Sequence, residues 1–261
     1  MAEDWHGRFC WYELMTTDPK AAKGFYAKVV GWGTQPFPGT GTPYTTWTKS
    51  GQPVGGLMEL PAEARAGGAP PNWMLYVAVE DADAVVRQAA ARGGKVEFDL
   101  HEIPGVGRFA VLSDPQGAHF AVLKPADPSA NARPETEPGP LDISWRELAT
   151  TDREGAMTFY AALFGWERQN ATEMGEPVGV YQEFGRAGTP LGGIYRKPPD
   201  MPFPPHWLLY AKVPDIQASL AGVRAGGGQV LNGPMEIPGG DLIAQILDPQ
   251  GAAFALHQAK A

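Results

Sequence analysis

The sequence Trp11-Tyr12-Glu13-Leu14-Met15-Thr16-Thr17-Asp18 returns 134 residues later as Trp145-Arg146-Glu147-Leu148-Ala149-Thr150-Thr151-Asp152. The same spacing links five other motif pairs: Phe25-Tyr26 with Phe159-Tyr160, Gly31-Trp32 with Gly165-Trp166, Trp73-x-Leu75-Tyr76 with Trp207-x-Leu209-Tyr210, Ile103-Pro104-Gly105 with Ile237-Pro238-Gly239, and Asp114-Pro115-Gln116-Gly117-Ala118 with Asp248-Pro249-Gln250-Gly251-Ala252. Similarity at one fixed spacing indicates two head-to-tail copies of one domain. We expect a first copy over residues 8–125 and a second over 141–258.

Residues 126–140 should be a stiff, extended linker between the copies. They carry four prolines, which interrupt both helices and sheet ladders. The length of 261 residues lets each copy bury its own core without a disulfide or a structural metal. The chain has a single cysteine, Cys10, so no internal disulfide is expected.

The charge balance points to a small-molecule partner. The formal net charge is −8, which disfavours nucleic acid and anionic membrane surfaces. No apolar run approaches the ~20 residues of a membrane-spanning helix, and no secretion signal is visible at the N-terminus. These features favour a cytoplasmic protein, either a monomer or a homodimer.

Within each copy the pattern predicts a βαβββ unit that occurs twice. In the first copy, a strand over Phe9–Met15 precedes a helix from Asp18 to Val30, which Pro19 opens and Gly31 ends. The order restarts with a strand over Trp73–Val79 and a helix over Asp81–Arg92. The remaining extended segments are expected near Tyr44–Lys49, Val54–Leu60, Lys95–Leu100, Arg108–Ser113 and Phe120–Leu123.

A single βαβββ unit leaves one face of its sheet bare, so two units should pair. We therefore predict an α+β fold of tandem domains, each made of two paired βαβββ units with a curved mixed sheet around a cleft.

These motifs resemble the vicinal oxygen chelate superfamily, which includes glyoxalase I, extradiol dioxygenases and bleomycin-binding proteins. The stretch from Asp18 to Trp32 is similar to the first helix of that family, and the stretch from Asp114 to Phe120 to its last hairpin. The resemblance implies glyoxalase-like domains with a ligand in each cleft. The tandem arrangement is similar to that of an actinobacterial subgroup.

The resemblance also implies where a metal would be held. Metal-dependent members place a His or Gln seven residues before the first helix's Asp, a His seven before the second helix's Asp, and a carboxylate seven after the Asp of Asp-Pro-x-Gly. In this chain those positions hold no metal-binding group: Trp11, Met74 and Ala121 in the first copy, and Trp145, Leu208 and Ala255 in the second. A fourth position falls near Gly55, Gly56 or Glu59, and near Gly192, Gly193 or Tyr195. We therefore expect no metal and no cofactor.

Strand alternation predicts the residues that line the clefts. Trp11, Glu13, Trp145 and Glu147 should point inwards, with Tyr76 and Tyr210 on the same face, whereas Leu14 and Leu148 should face the helices. A Glu and Tyr pair beside an indole suits a flat or aromatic ligand, and it could also transfer a proton. The alternative interpretation is that Trp fills the space of the metal and that Glu is a structural anchor.

Ligand contacts are thus expected from Trp11, Met74, His119, Trp145 and Leu208, and Glu13, Glu147, Tyr76 and Tyr210 are the candidate catalytic groups. The other histidines, His6, His101, His206 and His257, have no partners in the pattern and are expected at the surface. Cys10 should be a small buried residue.

Three functions remain open from the sequence. The favoured one is a metal-independent protein that binds, and so sequesters or detoxifies, a metabolite or antibiotic. The second is a glyoxalase-like or secondary-metabolism enzyme that uses the Glu and Tyr residues of the cleft. The third is an interaction protein whose clefts are vestigial.

Overall fold

The computed structural model describes residues 5–127 and 138–260, so most of the expected linker lies outside the described residues. The described strands are β1 Phe9–Thr16, β2 Gly33–Phe37, β3 Tyr44–Lys49, β4 Gln52–Glu59, β5 Asn72–Ala78, β6 Lys95–Ile103, β7 Gly107–Ser113, β8 His119–Pro125, β9 Ile143–Thr150, β10 Glu167–Glu173, β11 Val180–Arg186, β12 Thr189–Arg196, β13 His206–Lys212, β14 Gln229–Glu236, β15 Leu242–Leu247 and β16 Ala253–Gln258. The described helices are α1 Pro19–Val29, α2 Ala62–Ala66, α3 Ala82–Ala91, α4 Arg153–Phe164 and α5 Ile216–Ala225, and a short 3-10 turn covers Pro38–Thr40.

The strands form two eight-stranded mixed sheets with the same topology. Their orders are β2-β3-β4-β1-β5-β8-β7-β6 and β10-β11-β12-β9-β13-β16-β15-β14. Each sheet contains two βαβββ units, which confirms the α+β fold and the tandem repeat. Among the described residues, no helix has the length and apolarity that a membrane span requires.

Four of the helices begin in the same way, which explains why the Asp residues of the repeat lie where they do. In each case an Asp side chain accepts a hydrogen bond from a backbone N–H of the first turn and so satisfies a donor that the helix leaves open. The capping residues are Asp18, Asp81, Asp152 and Asp215.

Two features of the first copy were not expected. Strand β2 was missed because Gly33–Phe37 has no apolar alternation: it is an exposed edge strand containing Pro36, and an edge is the part of a sheet where proline is tolerated. The short helix α2 was also missed, and none of its side chains is buried.

Contacts within the chain divide it into two compact units. Unit 1 holds the described residues of Met1–Trp11, Leu75–Thr136 and Arg146–Trp207, and unit 2 those of Tyr12–Met74, Glu137–Trp145 and Leu208–Ala261. Helices α3 and α4 pack together in unit 1, and α1 and α5 pack together in unit 2. Each compact unit therefore takes one βαβββ half from each sequence copy.

The repeated motifs meet inside these units. In unit 1 the buried hydroxyl of Tyr160 donates to Asp114 Oδ2 over 3.0 Å and accepts from Trp207 Nε1 over 3.1 Å. In unit 2, Tyr26 makes the equivalent bonds to Asp248 and Trp73, over 3.2 and 2.8 Å. Since buried polar groups need partners, three of the repeated motifs are explained by the core and not by a ligand.

Candidate functional site

The carboxylate of Glu13 is buried and hydrogen-bonded to a tyrosine in unit 2. Glu13 lies opposite Gly56 in the parallel pairing of β1 with β4, and only 7% of it is exposed. Tyr44, at the start of β3, donates its hydroxyl proton to Glu13 Oε2 over 2.6 Å. A bond this short is typical of an O–H group that donates to a charged carboxylate.

The second copy repeats this pair in unit 1 and adds a second ring. Glu147 lies opposite Gly193, and Tyr181 donates to Glu147 Oε2 over 3.1 Å. The ring of Tyr181 is stacked near that of Tyr195, with centroids 6.2 Å apart. Burial, together with the charge of Glu147, raises the pKa of the Tyr195 hydroxyl above its ordinary value.

Tyr44 and Tyr181 are not among the residues that the strand pattern predicts for the clefts. Tyr44 and Tyr181 are 137 residues apart, the same spacing that separates Gly56 from Gly193. That shared spacing exceeds the 134 residues of the main repeat because the segment from Trp166 to Tyr181 is three residues longer than the segment from Trp32 to Tyr44. The 137-residue spacing is therefore the feature of the sequence that pairs the two tyrosines.

The three positions of the second copy that correspond to the family's metal ligands meet in unit 2 as an apolar cluster; they hold Trp145, Leu208 and Ala255. Leu208, Tyr210 and Ala255 form a buried cluster, and Trp145 packs against it. Tyr210 and Ala255 are paired across β13 and β16. The Tyr210 hydroxyl accepts a hydrogen bond from Gln245 Nε2 over 3.1 Å. The structure thus brings Trp145, Leu208 and Tyr210 together.

The chemistry of this cluster does not fit a divalent metal. Indole, isobutyl and methyl groups offer no ligand to such an ion, whereas a stable centre needs three or four donor side chains. Among residues 5–127 and 138–260, no group of three or more His, Cys, Asp and Glu side chains is placed to hold a metal ion.

The corresponding half of the first copy, in unit 1, carries an aromatic surface. Tyr76 lies 6.2 Å from Phe109, measured between ring centroids, and Phe98 is stacked on Phe109 at 5.6 Å and 15°. The ring of His101 approaches both phenylalanines, at 6.0 Å and 5.9 Å. We call Tyr76, Phe98, His101 and Phe109 the aromatic platform.

Strand pairing places the platform on one face of the sheet. His101 is paired with Phe109, Phe98 with Val111, and Tyr76 with Ala121, and directly paired residues share a face. Phe98 is 49% exposed, so one side of its ring is open to solvent. The 134-residue spacing aligns Phe98, His101 and Phe109 with Asn232, Met235 and Ile243, so the platform is specific to the first copy.

The remaining expected ligand contacts occupy varied environments. Trp11 is half-buried in unit 1, and Met74 is buried in unit 2. His119 is exposed at the start of β8, with its Nε2 atom 3.9 Å from Glu97 Oε1. Leu14 and Leu148 are fully buried.

The surroundings of the Cys10 thiol make it chemically unreactive. Its Sγ donates to the carbonyl of Tyr76 over 3.5 Å, and burial raises the pKa of the thiol to about 12. A thiol that stays protonated at neutral pH is a poor nucleophile.

Of the four other histidines expected at the surface, His101 is exposed, whereas His6, His206 and His257 are half-buried. His6 Nε2 lies 3.0 Å from the carbonyl oxygen of Leu163, and the side chain of His257 is only 17% exposed. His257 contacts Ser144, which lies 113 residues earlier in the sequence, and Asp241, which lies in the turn before β15. Sequence spacing gave no signal for either arrangement.

Comparison with known proteins agrees with this architecture. The glyoxalase-like domain family matches residues 11–123, and the glyoxalase/bleomycin resistance protein/dioxygenase superfamily matches residues 142–256. The CFP32 protein of Mycobacterium bovis is 36% identical over 94% of this chain and 92% of its own length. The anthracycline biosynthesis protein DnrV of Streptomyces peucetius is 30% identical over 96% of this chain and 92% of its own length.

Solved structures share the fold at low sequence identity. The Mn(II)-bound glyoxalase of Novosphingobium aromaticivorans has a TM-score of 0.63 and 16% identity, over 97% of this chain and 82% of the other. The 2,3-dioxygenase LapB of Pseudomonas sp. KL28 has a TM-score of 0.64 and 12% identity, over 98% of this chain and 94% of the other. The repeated motifs, the paired βαβββ units and these matches together show that the chain belongs to the glyoxalase/bleomycin resistance protein/dioxygenase superfamily.

Proposed function

We propose that this chain is a metal-independent, cytoplasmic protein that binds a flat aromatic small molecule through its first copy. The observation that carries this proposal is the half-exposed ring of Phe98, stacked on Phe109 within the aromatic platform. An aromatic ring held by a second ring but open on its other side is a ready stacking surface.

Stacking a planar ligand there has a physical benefit. It removes apolar area of Phe98 from water, and the ring pair adds about 0.5–1.5 kcal/mol beyond the burial itself. The His101 ring, 6.0 Å from Phe98, supplies a polar edge beside the stacked ring. Sequestration or detoxification of a metabolite or antibiotic would follow from such binding, and the family description names bleomycin resistance.

The second copy should not bind the same ligand. Aliphatic and polar side chains occupy the positions equivalent to Phe98 and Phe109, and Trp145 packs on the apolar cluster. The interpretation that an indole fills a vestigial site therefore suits the second copy. We expect one ligand per chain.

The binding test uses a panel of planar aromatic compounds beside saturated rings of equal size. A ligand that binds only the folded protein raises its melting temperature, and calorimetry on the hits gives stoichiometry and Kd. Phe98→Ala should weaken binding about 10-fold, equivalent to ~1.4 kcal/mol. The control is Leu231→Ala, which removes an exposed apolar side chain of β14 and should leave Kd unchanged. Equal affinity of the Phe98 variant and the parent protein would contradict the proposal.

The metal-independence is tested separately by elemental analysis of the purified protein. We expect no stoichiometric zinc, iron, nickel or manganese, and no loss of ligand affinity after treatment with a chelator. A stoichiometric metal would overturn this part of the proposal.

The short bond between Tyr44 and Glu13 supports a second candidate, an enzyme that moves a proton. A buried carboxylate beside a phenol is a suitable general base. If the protein turns over a bound compound, Glu13→Gln should abolish turnover while Kd stays nearly constant. Turnover that Glu13→Gln and Tyr44→Phe leave unchanged would exclude this pair as the base.

A further inference from the structure

Ser144, His257 and Asp241 form a continuous hydrogen-bonded chain in unit 2. Ser144 Oγ lies 2.8 Å from His257 Nδ1, and His257 Nε2 lies 2.8 Å from Asp241 Oδ2. The three residues come from β9, from β16 and from the turn that precedes β15. An interval of 113 residues separates the serine from the histidine.

The hydrogen-bond partners of His257 determine which of its two ring nitrogen atoms carries the proton. Asp241 Oδ1 accepts the backbone N–H of Lys260 over 2.9 Å, and that bond, with the His257 bond second, lowers the pKa of the Asp241 carboxyl. The charge of Lys212 acts in the same direction. Because Asp241 is therefore an acceptor at neutral pH, the Nε2 atom of a neutral His257 carries the proton, and Nδ1 accepts from the Ser144 hydroxyl.

The same hydrogen bonds are compatible with transfer of a proton from the Ser144 hydroxyl to His257. A doubly protonated imidazole donates from Nε2 to Asp241 and from Nδ1 to Ser144 Oγ. In the resting state Ser144 Oγ has a second acceptor within 3.3 Å, the carbonyl of Tyr210. Both forms of the imidazole thus keep their two hydrogen bonds, which is the arrangement of a base held by a carboxylate beside a nucleophile.

The first copy shows that the fold does not require these three hydrogen-bonded residues. The 134-residue spacing aligns Ser144, His257 and Asp241 with Cys10, Leu123 and Gly107. Cys10 donates to the carbonyl of Tyr76, as Ser144 can to that of Tyr210. A small donor at this point of the strand is therefore structural, whereas the imidazole and the carboxylate are additions of the second copy. Ser144 is half-buried, and the side chains of His257 and Asp241 are 17% and 32% exposed, so all three residues are partly open to solvent.

We propose that Ser144 is a nucleophile, activated by His257 and Asp241, that cleaves small activated esters. Ser144 Oγ attacks the ester carbonyl carbon and its proton passes to His257 Nδ1. The bond from the carbonyl carbon to the leaving alcohol breaks, and that alcohol takes the proton from His257. Water then attacks the acyl-serine, gives a proton to His257 and releases the carboxylic acid, and Ser144 recovers its proton.

The test is made on the full chain with p-nitrophenyl acetate and with a fluorophosphonate probe, which reacts with activated serines. We expect release of p-nitrophenol and a probe adduct that mass spectrometry places on Ser144. Ser144→Ala should remove both, and His257→Gln should slow them by at least about 100-fold, the lower range for loss of a general base. Asp241→Asn should slow them as well.

Matched variants keep the result interpretable. Ser113→Ala removes a buried serine hydroxyl of unit 1, which donates to Glu97 Oε1, and should change neither rate. Circular dichroism and melting temperature show whether each variant is folded, and Ser144→Cys, which keeps a nucleophile, should recover part of the ester cleavage. The proposal is overturned if the parent protein is unlabelled, if the adduct lies elsewhere, or if a folded His257 variant reacts at the parent rate.

Discussion

Tyr160 donates its hydroxyl proton to Asp114 Oδ2 across 3.0 Å, although the two residues lie in different copies of the repeat. The same hydroxyl accepts from Trp207 Nε1. One buried oxygen atom therefore connects three of the motifs that define the repeat.

Tyr160→Phe should destabilise the protein by ~2 kcal/mol, because it leaves the buried Trp207 N–H and one Asp114 oxygen without this partner. Urea denaturation measures the loss. Thr158→Ala, which removes an exposed hydroxyl from the same helix, is the control, with an expected change within about 0.5 kcal/mol. Equal stability of the two variants would show that the buried bond contributes nothing.

The buried aspartates should give an unusual dependence of stability on pH. Burial raises the pKa of Asp114 and of Asp248 above the ordinary value. A carboxyl whose pKa is higher in the folded state favours folding below its unfolded pKa, and that contribution is lost as the pH rises through the folded pKa. The free energy of unfolding of the parent minus that of Asp114→Asn should therefore fall as pH rises from mildly acidic values to neutral.

A carboxylate with the opposite shift provides the comparison. Arg153 and Arg168 lower the pKa of Glu154, so its contribution is present above the unfolded pKa and lost as the pH falls through the folded one. The difference between the parent and Glu154→Gln should grow as pH rises. Urea denaturation at a series of pH values tests both signs, and parallel trends for the two variants would contradict the assignment.

Gly193→Ala should disrupt the hydrogen bond from Tyr181 to Glu147. An added Cβ would overlap the Tyr181 ring, so the ring must move away from its carboxylate, and such overpacking costs about 1–3 kcal/mol. Gly24→Ala is the matched control, because a Cβ there meets nothing within 4 Å and should stabilise helix α1 by about 0.5–1 kcal/mol. Chemical denaturation gives both values, and a stabilising Gly193 substitution would mean that the ring does not lie over this glycine.

Cys10 should resist thiol reagents in the folded protein. Its raised pKa of about 12 leaves almost no thiolate at pH 8, and the thiolate is the reactive form. We expect no rapid reaction with Ellman's reagent until urea unfolds the chain, after which one thiol per chain should react. Immediate reaction without denaturant would show that the thiol is open and ionised.

Much of the fold could be predicted from local chemistry. Asp18, Pro19 and Gly31 determine where the first helix begins and ends, because capping and φ restrictions act over a few residues. The period-two pattern of β1 predicted that Leu14 would be buried. Strand β2 could not be predicted in this way, because most of its side chains are exposed and its sequence therefore has no apolar alternation.

The candidate functional residues likewise fall into two groups, those that the sequence predicts and those that depend on the folded structure. The tandem repeat, the α+β class and the apolar identity of three positions follow from residue type and spacing alone; those positions are Trp145, Leu208 and Ala255. Three contacts could not be predicted in this way: the hydrogen bond from Tyr44 to Glu13, the stacking of Phe98 on Phe109, and the position of His257 between Ser144 and Asp241. Those contacts depend on strand register and on the packing of separate segments, and hydrogen bonds of under 3 Å between such segments leave no periodic trace in the order of the residues.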